Sequence, residues 1–210
     1  RDFSEGKYLV FATTQGMVKK TPFKDYDTPI RADGIIAINI KKGDELVRVR
    51  MSSGKDDLVM VSKSGHAIRF SEKLARPMGR GTAGVKGMNV ADKGNEVLSL
   101  DVVDHLDKKC ELLVVTENGY GKRTKLTEYR LTGRGRKGVI NMKTTNKVGK
   151  VVASLVVRED SDLMIITKDG KITGLDASVV ASGGAYPAIG AVLPMLTQMM
   201  VVGVYDIPKV

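Results

Sequence analysis

The sequence predicts an all-β fold in which four-stranded blades repeat along the chain, and three observations support this prediction. Four apolar runs each lead into a glycine-containing turn, and the turn glycines Gly16, Gly65, Gly119 and Gly170 are 49, 54 and 51 residues apart. A second glycine follows each turn glycine after 18, 19, 19 and 20 residues. No stretch shows a sustained helical period, so little helix is expected.

The first two strands of each repeat are predicted to form a hairpin. Two of the turns contain Asn118-Gly119 and Asp169-Gly170, which favour two-residue hairpin loops because both loop positions require positive φ. The predicted first strands are residues 8–13, 58–62, 112–116 and 163–167. The predicted second strands are residues 18–21, 67–70, 121–124 and 172–175.

A polar loop separates this hairpin from the last two strands of each repeat. The second glycine opens the third strand, at residues 34–38, 84–88, 138–142 and 190–193. A tight turn follows in the first three repeats, at residues 42–44, 93–95 and 148–150. The predicted fourth strands are residues 46–49, 97–100, 151–155 and 201–205.

Repeated four-stranded units are typical of β-propellers, in which each blade buries its faces against its neighbours. We therefore predict one domain over residues 1–210, with repeats at about 6–53, 55–104, 109–158 and 161–207. Two unrelated β-sandwiches are a less favoured alternative, because they would not place four glycine pairs at nearly constant spacing. The chain starts with Arg1 rather than Met, so it is expected to be part of a longer protein.

The chain has an excess of basic residues and few candidates for catalytic chemistry. There are 34 Lys and Arg against 24 Asp and Glu, a net charge of +10, which favours nucleic acid as a partner and an anionic membrane second. The single cysteine, Cys110, excludes an internal disulfide and suits a cytoplasmic location. His66 and His105 have no supporting metal or triad motif. The sequence predicts no catalytic centre, metal or cofactor in this chain.

One stretch, residues 177–205, lacks charged side chains and is long enough to span a bilayer. Pro187, Pro194 and Gly183 are among the residues that interrupt it. The repeat predicts a loop and two strands in the same place, so we predict no membrane span.

The positive charge concentrates at one position of the repeat, the second strand and the loop that follows it. Residues 17–43, 66–88 and 119–143 have net charges of +3, +4 and +7, whereas the fourth repeat has only Lys171 against Asp176 there. In a radial array of blades, one repeat position forms one band around the rim, and such a band can follow the charges of duplex DNA. The predicted DNA-binding residues are Lys19, Lys20, Lys24, Arg31, Arg69, Arg76, Arg80, Lys86, Lys122, Arg123, Lys125, Arg130, Arg134, Arg136 and Lys137.

Sequence-specific readout is not predicted, because the chain has no helix-turn-helix, zinc-finger or aromatic RNA-binding motif. Tyr26, Tyr120 and Tyr129 are the candidates for stacking on single strands, and the alternative for Tyr120 and Tyr129 is packing at a blade edge. Contacts to the backbone of bent duplex DNA fit the charge pattern better. A propeller that binds an acidic protein partner is the alternative function.

The most specific motif is Asn-Gly-Tyr-Gly-Lys-Arg-Thr at residues 118–124, which residues 126–129 and 133–139 extend. Together with residues 18–21, 68–70, 76–80 and 84–87, these segments resemble blades of the carboxy-terminal domain of the DNA gyrase A subunit. The resemblance implies a six-bladed β-pinwheel whose neighbouring blades exchange a strand and whose basic rim bends and wraps duplex DNA. It also implies a parent enzyme that supercoils DNA negatively with ATP, using the gyrase B subunit and the rest of the gyrase A subunit, including the cleavage tyrosine.

The sequence departs from this family pattern in two places. The family's seven-residue box, Gln-Arg-Arg-Gly-Gly-Lys-Gly, is matched at only four positions by residues 132–138. Either the intact box lies in blades before Arg1, or the chain resembles the topoisomerase IV A subunit, which lacks the box. In the fourth repeat, residues 182–190 contain no Lys or Arg, so this blade is expected to cap the array or pack on a partner rather than contact DNA.

Overall fold

The computed structural model describes residues 7–29, 31–158, 163–166 and 172–176. Regular structure there is almost entirely β, which confirms the predicted all-β fold. The strands are β1 Tyr8–Thr13, β2 Met17–Pro22, β3 Leu46–Ser52, β4 Asp57–Ser62, β5 His66–Ser71, β6 Val85–Lys86, β7 Val97–Val103, β8 Glu111–Thr116, β9 Gly121–Lys125, β10 Val139–Ile140, β11 Val151–Val157, β12 Leu163–Ile166 and β13 Ile172–Asp176. Three short 3₁₀ helices are Phe23–Tyr26, Glu72–Leu74 and Leu126–Glu128.

The chain divides into two compact units, residues 1–159 and 160–210. In the second unit, the described strands β12 and β13 pair in antiparallel orientation. The predicted strands at residues 190–193 and 201–205, and the uncharged stretch 177–205, lie outside the described residues. A single domain over the whole chain stays a prediction. Across the described ranges, no helix has the length and apolar character needed to cross a membrane.

The three hairpins predicted for the first unit are present. β1 pairs with β2, β4 with β5 and β8 with β9, all antiparallel. Gly16, Gly65 and Gly119 lie in the turns with φ of 81°, 80° and 80°, a region that glycine adopts without strain. Gly65 must be glycine for a second reason, because a Cβ there would overlap the carbonyl oxygen of Met142 in the next repeat.

Strands from two repeats combine in one sheet. The strand orders are β3-β1-β2-β6, β10-β5-β4-β7 and, within the described residues, β11-β8-β9. β6 lies in the second repeat but pairs with β2 of the first, and β10 of the third repeat pairs with β5 of the second. The predicted four-stranded sheets are therefore present in the first two cases, and each takes its outer strand from the following repeat, which is the strand exchange that the resemblance implies.

Residues 34–38 are predicted as the third strand of the first repeat, at the position that β6 and β10 occupy in the next two repeats. In the described part of the chain they form no strand. Ile36 in this segment is 70% exposed. The segment differs from β6 and β10 because none of the described strands pairs with it.

The central strand β4 lies between two hydrophobic cores, because successive side chains of a strand point to opposite faces. Leu58 and Met60 pack with Val10 of the first sheet, whereas Val59 packs with Leu112 of the third. All six residues of β4 are buried. Packing of one sheet on the next therefore forms the core, as the repeat pattern predicts.

The three sheets of the first unit have an inner and an outer edge. β3 contacts β7, and β7 contacts β11, so the last strands of successive repeats lie side by side at the inner edge. The exchanged strands β6 and β10 form the opposite, outer edge. The strand register also defines two ends, the hairpin end with the β1–β2, β4–β5 and β8–β9 turns, and the linker end with residues 53–56 and 104–110.

Candidate nucleic-acid interface

Most of the predicted DNA-binding side chains are exposed. Arg69 and Arg80 are half-buried, and Lys19 and Lys20 are buried. The exposed members of the set are Lys24, Arg31, Arg76, Lys86, Lys122, Arg123, Lys125, Arg130, Arg134, Arg136 and Lys137.

The basic loop of the third repeat, residues 130–138, lies along the outer edge of the first sheet. The N–H of Gly135 donates a hydrogen bond to the carbonyl of Gly87 at 2.6 Å, immediately after β6. The guanidinium of Arg134 donates from Nη1 to the carbonyl of Lys86 at 3.0 Å. Basic side chains from two successive repeats therefore form one continuous patch. We call it the outer-edge patch, and it consists of Lys86, Arg134 and Arg136.

The loop of the second repeat, residues 76–84, makes an equivalent contact one repeat earlier. The N–H of Met78 donates to the carbonyl of Lys20 at 2.8 Å, and at the next junction the N–H of Thr132 donates to the carbonyl of Arg69 at 3.0 Å. Because the two loops are placed alike, their arginines recur at the same position along the outer edge.

Backbone carbonyls hold the exposed guanidinium of Arg134 in place. Its Nε donates to the carbonyl of Leu74 and its Nη1 to the carbonyl of Lys86, both at 3.0 Å. A guanidinium has five N–H donors, so about three remain available to a phosphate. Arg134 is thus already oriented for contact with a phosphate at the outer edge.

Two of the exposed cations have a carboxylate partner. Arg123 Nε lies 3.1 Å from Glu111 Oε2, and Lys137 Nζ lies 2.7 Å from Asp92 Oδ2. Among the described residues, none of the other exposed cations of the predicted set has a carboxylate within salt-bridge distance. Exposed ion pairs contribute little to stability because water screens them, so phosphates can replace both carboxylates.

Lys19 and Lys20 are buried, so the prediction that they lie on the exposed contact surface is wrong. The ammonium of Lys19 donates to the carbonyls of Ala37 and Arg80, both at 2.5 Å, and lies 5.2 Å from the centre of the Phe11 ring. Burial, together with the nearby Arg80 charge, lowers the pKa of Lys19 to about 8. Lys19 therefore supports the basic loop of the second repeat from inside.

Lys20 and Arg69 occupy equivalent positions on β2 and β5, and each joins its own sheet to the next repeat. Lys20 Nζ donates to the carbonyl of Glu72 at 2.9 Å and lies 3.4 Å from Glu72 Oε2. Arg69 Nη1 donates to the carbonyl of Leu126 at 2.8 Å. Glu72 and Leu126 are the first residues of equivalent 3₁₀ helices. We call Lys20 and Arg69 the junction cations.

Arg69 is poorly placed for direct contact with DNA. Its side chain is 16% exposed, and besides the bond to Leu126 its Nε and Nη2 lie 2.9 and 2.7 Å from Asp57 Oδ2. Arg80 is half-buried, and its carbonyl accepts the Lys19 ammonium. Arg69 is therefore a structural cation, whereas Arg80 remains a predicted contact.

Of the three tyrosines considered for base stacking, Tyr120 is the most exposed, at 42%. The hydroxyl of Tyr26 donates to the carbonyl of Ala37 at 3.1 Å, and that of Tyr129 donates to Asn141 Oδ1. Tyr26 and Tyr129 thus pack against the third segment of their own repeats, which for Tyr129 is the alternative that the sequence left open.

Two other side chains that could react, those of Cys110 and His66, are engaged with residues close to them in sequence. Cys110 Sγ donates to Asp107 Oδ2 at 2.9 Å, and burial raises the pKa of this thiol to about 11. Burial lowers the pKa of His66, whose Nδ1 lies 3.0 Å from Ser64 Oγ. The described ranges contain no group of three His, Cys, Asp or Glu residues that could hold a metal ion.

Three exposed lysines, Lys55, Lys73 and Lys108, are absent from the predicted contact set. With Arg130 they line a cleft at the linker end, between the second and third sheets. Lys55 and Lys108 lie in linkers, outside the strand-and-loop windows in which the sequence shows its charge bias. The cleft forms only when two repeats stack, so no single stretch of sequence indicates it.

Comparison with known sequences identifies similar domains. The family model described as the DNA gyrase C-terminal domain, a β-propeller, matches residues 7–53, 56–104 and 111–158. The DNA gyrase A subunit of Staphylococcus epidermidis is 44% identical over 181 residues, and that of Staphylococcus aureus is 42% identical over 181 residues. Each alignment covers 86% of this chain and 20% of the relative, so the chain spans about a fifth of the length of these curated relatives.

Solved structures show the same similarity. The C-terminal domain of a DNA topoisomerase IV superimposes with a TM-score of 0.75 at 30% identity, covering 82% of this chain and 53% of that one. A gyrase A C-terminal domain superimposes with a TM-score of 0.71 at 27% identity, covering 81% and 56%. The E. coli ParC C-terminal domain, at 16% identity and a TM-score of 0.56, covers 77% and 66% and supports the fold alone.

Proposed function

Because the chain belongs to the DNA gyrase C-terminal domain family, we propose that it binds duplex DNA without reading sequence and bends or wraps it along the outer edge. The outer-edge patch is the observation that best supports this function. There Lys86, Arg134 and Arg136 are exposed, and no described carboxylate lies within salt-bridge distance of them. Duplex DNA has about one charge per 1.7 Å of axis, so a row of cations on a curved edge can follow it.

The energetics of bending require many contacts of this kind. Bending a site of about 20–30 base pairs by about 40–90° costs roughly 1–6 kcal/mol. Lys and Arg contacts to phosphates release condensed counterions, which offsets that cost and makes binding weaken steeply as salt rises. Phosphate contacts position a duplex but carry no sequence information, so binding of any sequence is expected.

Within the whole protein, the proposed role is to support ATP-dependent negative supercoiling of DNA by a cytoplasmic gyrase. The curated relatives at 42–44% identity are gyrase A subunits, which supports gyrase, whereas the solved domains do not separate the two enzymes, at 30% identity for topoisomerase IV and 27% for gyrase. On this proposal the chain works with the gyrase B subunit and with the rest of the gyrase A subunit. Strand cleavage and ATP hydrolysis would take place outside this chain.

A salt titration of the 210-residue chain with random-sequence duplexes tests the proposal. We expect binding to every sequence, tighter binding to longer duplexes and a steep negative slope of log affinity against log salt. Replacing Arg123, Arg134, Arg136 and Lys137 together with Ala should make that slope shallower by about 0.9 for each phosphate that is no longer neutralised. Folding should be retained, because all four side chains are exposed.

The control removes three lysines from turns at the hairpin end, Lys93→Ala, Lys147→Ala and Lys150→Ala, all of which are exposed. This hairpin-end variant should keep the slope of the unaltered chain. An unchanged slope in the quadruple variant would show that the outer edge is not the contact surface. Weak retention that does not depend on duplex length would instead indicate a module that binds an acidic protein.

A further inference from the structure

A cleft of about 540 Å³ opens at the linker end of the first unit, between the second and third sheets. We call it the junction cleft. Lys55 and Lys73 line it from the second repeat, and Lys108 and Arg130 line it from the third. All four side chains are exposed, and the described residues place no carboxylate within salt-bridge distance of them.

The two carboxylates that line the junction cleft are already paired with other groups. Asp57 Oδ2 accepts hydrogen bonds from Arg69, as described above. Asp107 Oδ2 accepts from the Cys110 thiol and from Arg158 Nη2, each at 2.9 Å. These hydrogen bonds, that of Cys110 first, lower the pKa of Asp107 to about 2. The four cations therefore give the cleft a positive charge that no residue of its lining balances.

The junction between the first and second sheets differs from this one in its linker residues. Counting back from the first strand of each repeat, Lys55 and Lys108 correspond to Gly6 and Gly54 one repeat earlier. The exposed Lys7 lies beside Gly54, so among the described residues the first junction has one linker lysine and the second has two.

We propose that the junction cleft binds a phosphodiester group of duplex DNA, so that the duplex leaves the outer edge and crosses the linker end there; this inference rests on the proposed function. Arg130 belongs both to the cleft and to the basic loop 130–138, so the two surfaces are continuous. A guanidinium can bind two phosphate oxygens as a planar fork, and ammonium groups add compact charge around it. Leu131 lines the cleft, is 58% exposed, and offers deoxyribose an apolar contact.

The test replaces Lys55, Lys73 and Lys108 with Ala in the whole chain and measures duplex affinity as a function of salt. Each phosphate contact contributes about 0.9 to the slope, so loss of the phosphodiester group held in the cleft should make the slope of this cleft variant shallower by about 0.9. Thermal unfolding should be unchanged, because the three side chains are exposed. The hairpin-end variant removes the same number of charges and should keep the original slope.

If the cleft variant has the same slope as the hairpin-end variant, the inference about the cleft is wrong. A steep slope in the unaltered chain would still support the contact at the outer edge. Failure of the unaltered chain to bind duplex at all would overturn both proposals. Sodium pyrophosphate at constant ionic strength provides a second arm. If it raises the melting temperature of the unaltered chain but not of the cleft variant, and the duplex slopes are equal, the cleft binds a small phosphoanion instead of DNA.

Discussion

At the residue scale, Glu72 organises the junction between the first and second sheets. Its carboxylate is fully buried, accepts hydrogen bonds from Ser52 Oγ and the Asp56 N–H, both at 2.8 Å, and lies 3.4 Å from the Lys20 ammonium. A buried charge is tolerated when it is both paired and hydrogen-bonded. One carboxylate therefore holds the end of β3, the linker that follows it, and β2 together.

Removing the Glu72 carboxylate should lower the free energy of unfolding substantially. Glu72→Ala leaves the Lys20 ammonium buried without an opposite charge, so we expect the free energy of unfolding to fall by about 3–5 kcal/mol in urea titrations. The double variant Lys20→Met/Glu72→Ala should recover part of this loss, because it contains no unpaired buried charge. Glu128→Ala, at an exposed position of the next 3₁₀ helix, should change stability by less than about 0.5 kcal/mol. Equal losses in the two single variants would contradict this account of Glu72.

The sequence predicts which residues are basic but not what each basic residue faces. Lys20 and Arg130 both belong to basic windows that follow a hairpin turn, and that position predicts DNA contact for both of them. They differ because the Lys20 ammonium meets Glu72, 52 residues further along the chain. Such an acceptor comes from the next repeat, so a reading of charge within one repeat cannot detect it.

At the element scale, the exchanged strand β10 depends on a close approach between two backbones. β10 has two residues, Val139 and Ile140, which pair with Ala67 and His66. Gly138 precedes it with φ of 88°, and a Cβ on this glycine would overlap the carbonyl oxygen of Ala67. So short a strand has few hydrogen bonds of its own, and its attachment relies on this contact.

A pair of alanine substitutions separates close approach from backbone conformation. Gly138→Ala and Gly119→Ala both place a side chain at positive φ, 88° and 80°, which costs roughly 1–2 kcal/mol. Only Gly138→Ala adds an overlap, because Gly119 has open space around it. We expect Gly138→Ala to melt at a lower temperature than Gly119→Ala, with faster amide exchange at Asn141, whose N–H donates to the carbonyl of Gly65. Equal melting temperatures would mean that β10 tolerates a wider separation from β5.

The hairpins could be predicted from local sequence, whereas the sheet that each third strand joins followed only from the family resemblance. Asn118-Gly119 and its equivalents specify a tight turn locally, so their strands followed from sequence. The sequence of β6, a glycine followed by an apolar residue, would look the same if the strand paired within its own repeat or with the preceding sheet. Pairing is decided by which sheet edge lies nearest after stacking, and that is a property of two repeats together.

At the scale of the first unit, cations have two distinct tasks. Those of the outer edge are exposed, and we propose that they contact phosphates. The junction cations Lys20 and Arg69 are turned inward and connect each sheet to the 3₁₀ helix of the next repeat. Because successive basic loops belong to different sheets, the angle between sheets determines the curvature of the outer edge. The junction cations should therefore govern how strongly the proposed duplex is bent, without contacting it.

Separate measurements of bending and of salt dependence test this division. The variant Lys20→Met/Glu72→Gln removes the first junction cation and its partner charge together, so no unpaired ion remains. We expect lower energy transfer between dyes at the two ends of a bound duplex much shorter than the persistence length of about 150 base pairs, because the sheets can rotate apart. The salt slope should stay at the value of the unaltered chain, since the Lys20 side chain is buried.

The matched control is Arg136→Ala, which removes one exposed cation. Because one phosphate contact is lost, the slope should become shallower by about 0.9. If Lys20→Met/Glu72→Gln lowered the slope by the same amount, the ammonium of Lys20 would have to reach a phosphate in the complex. The junction would then open on binding, and the fixed angle between the first two sheets could not be what sets the bend.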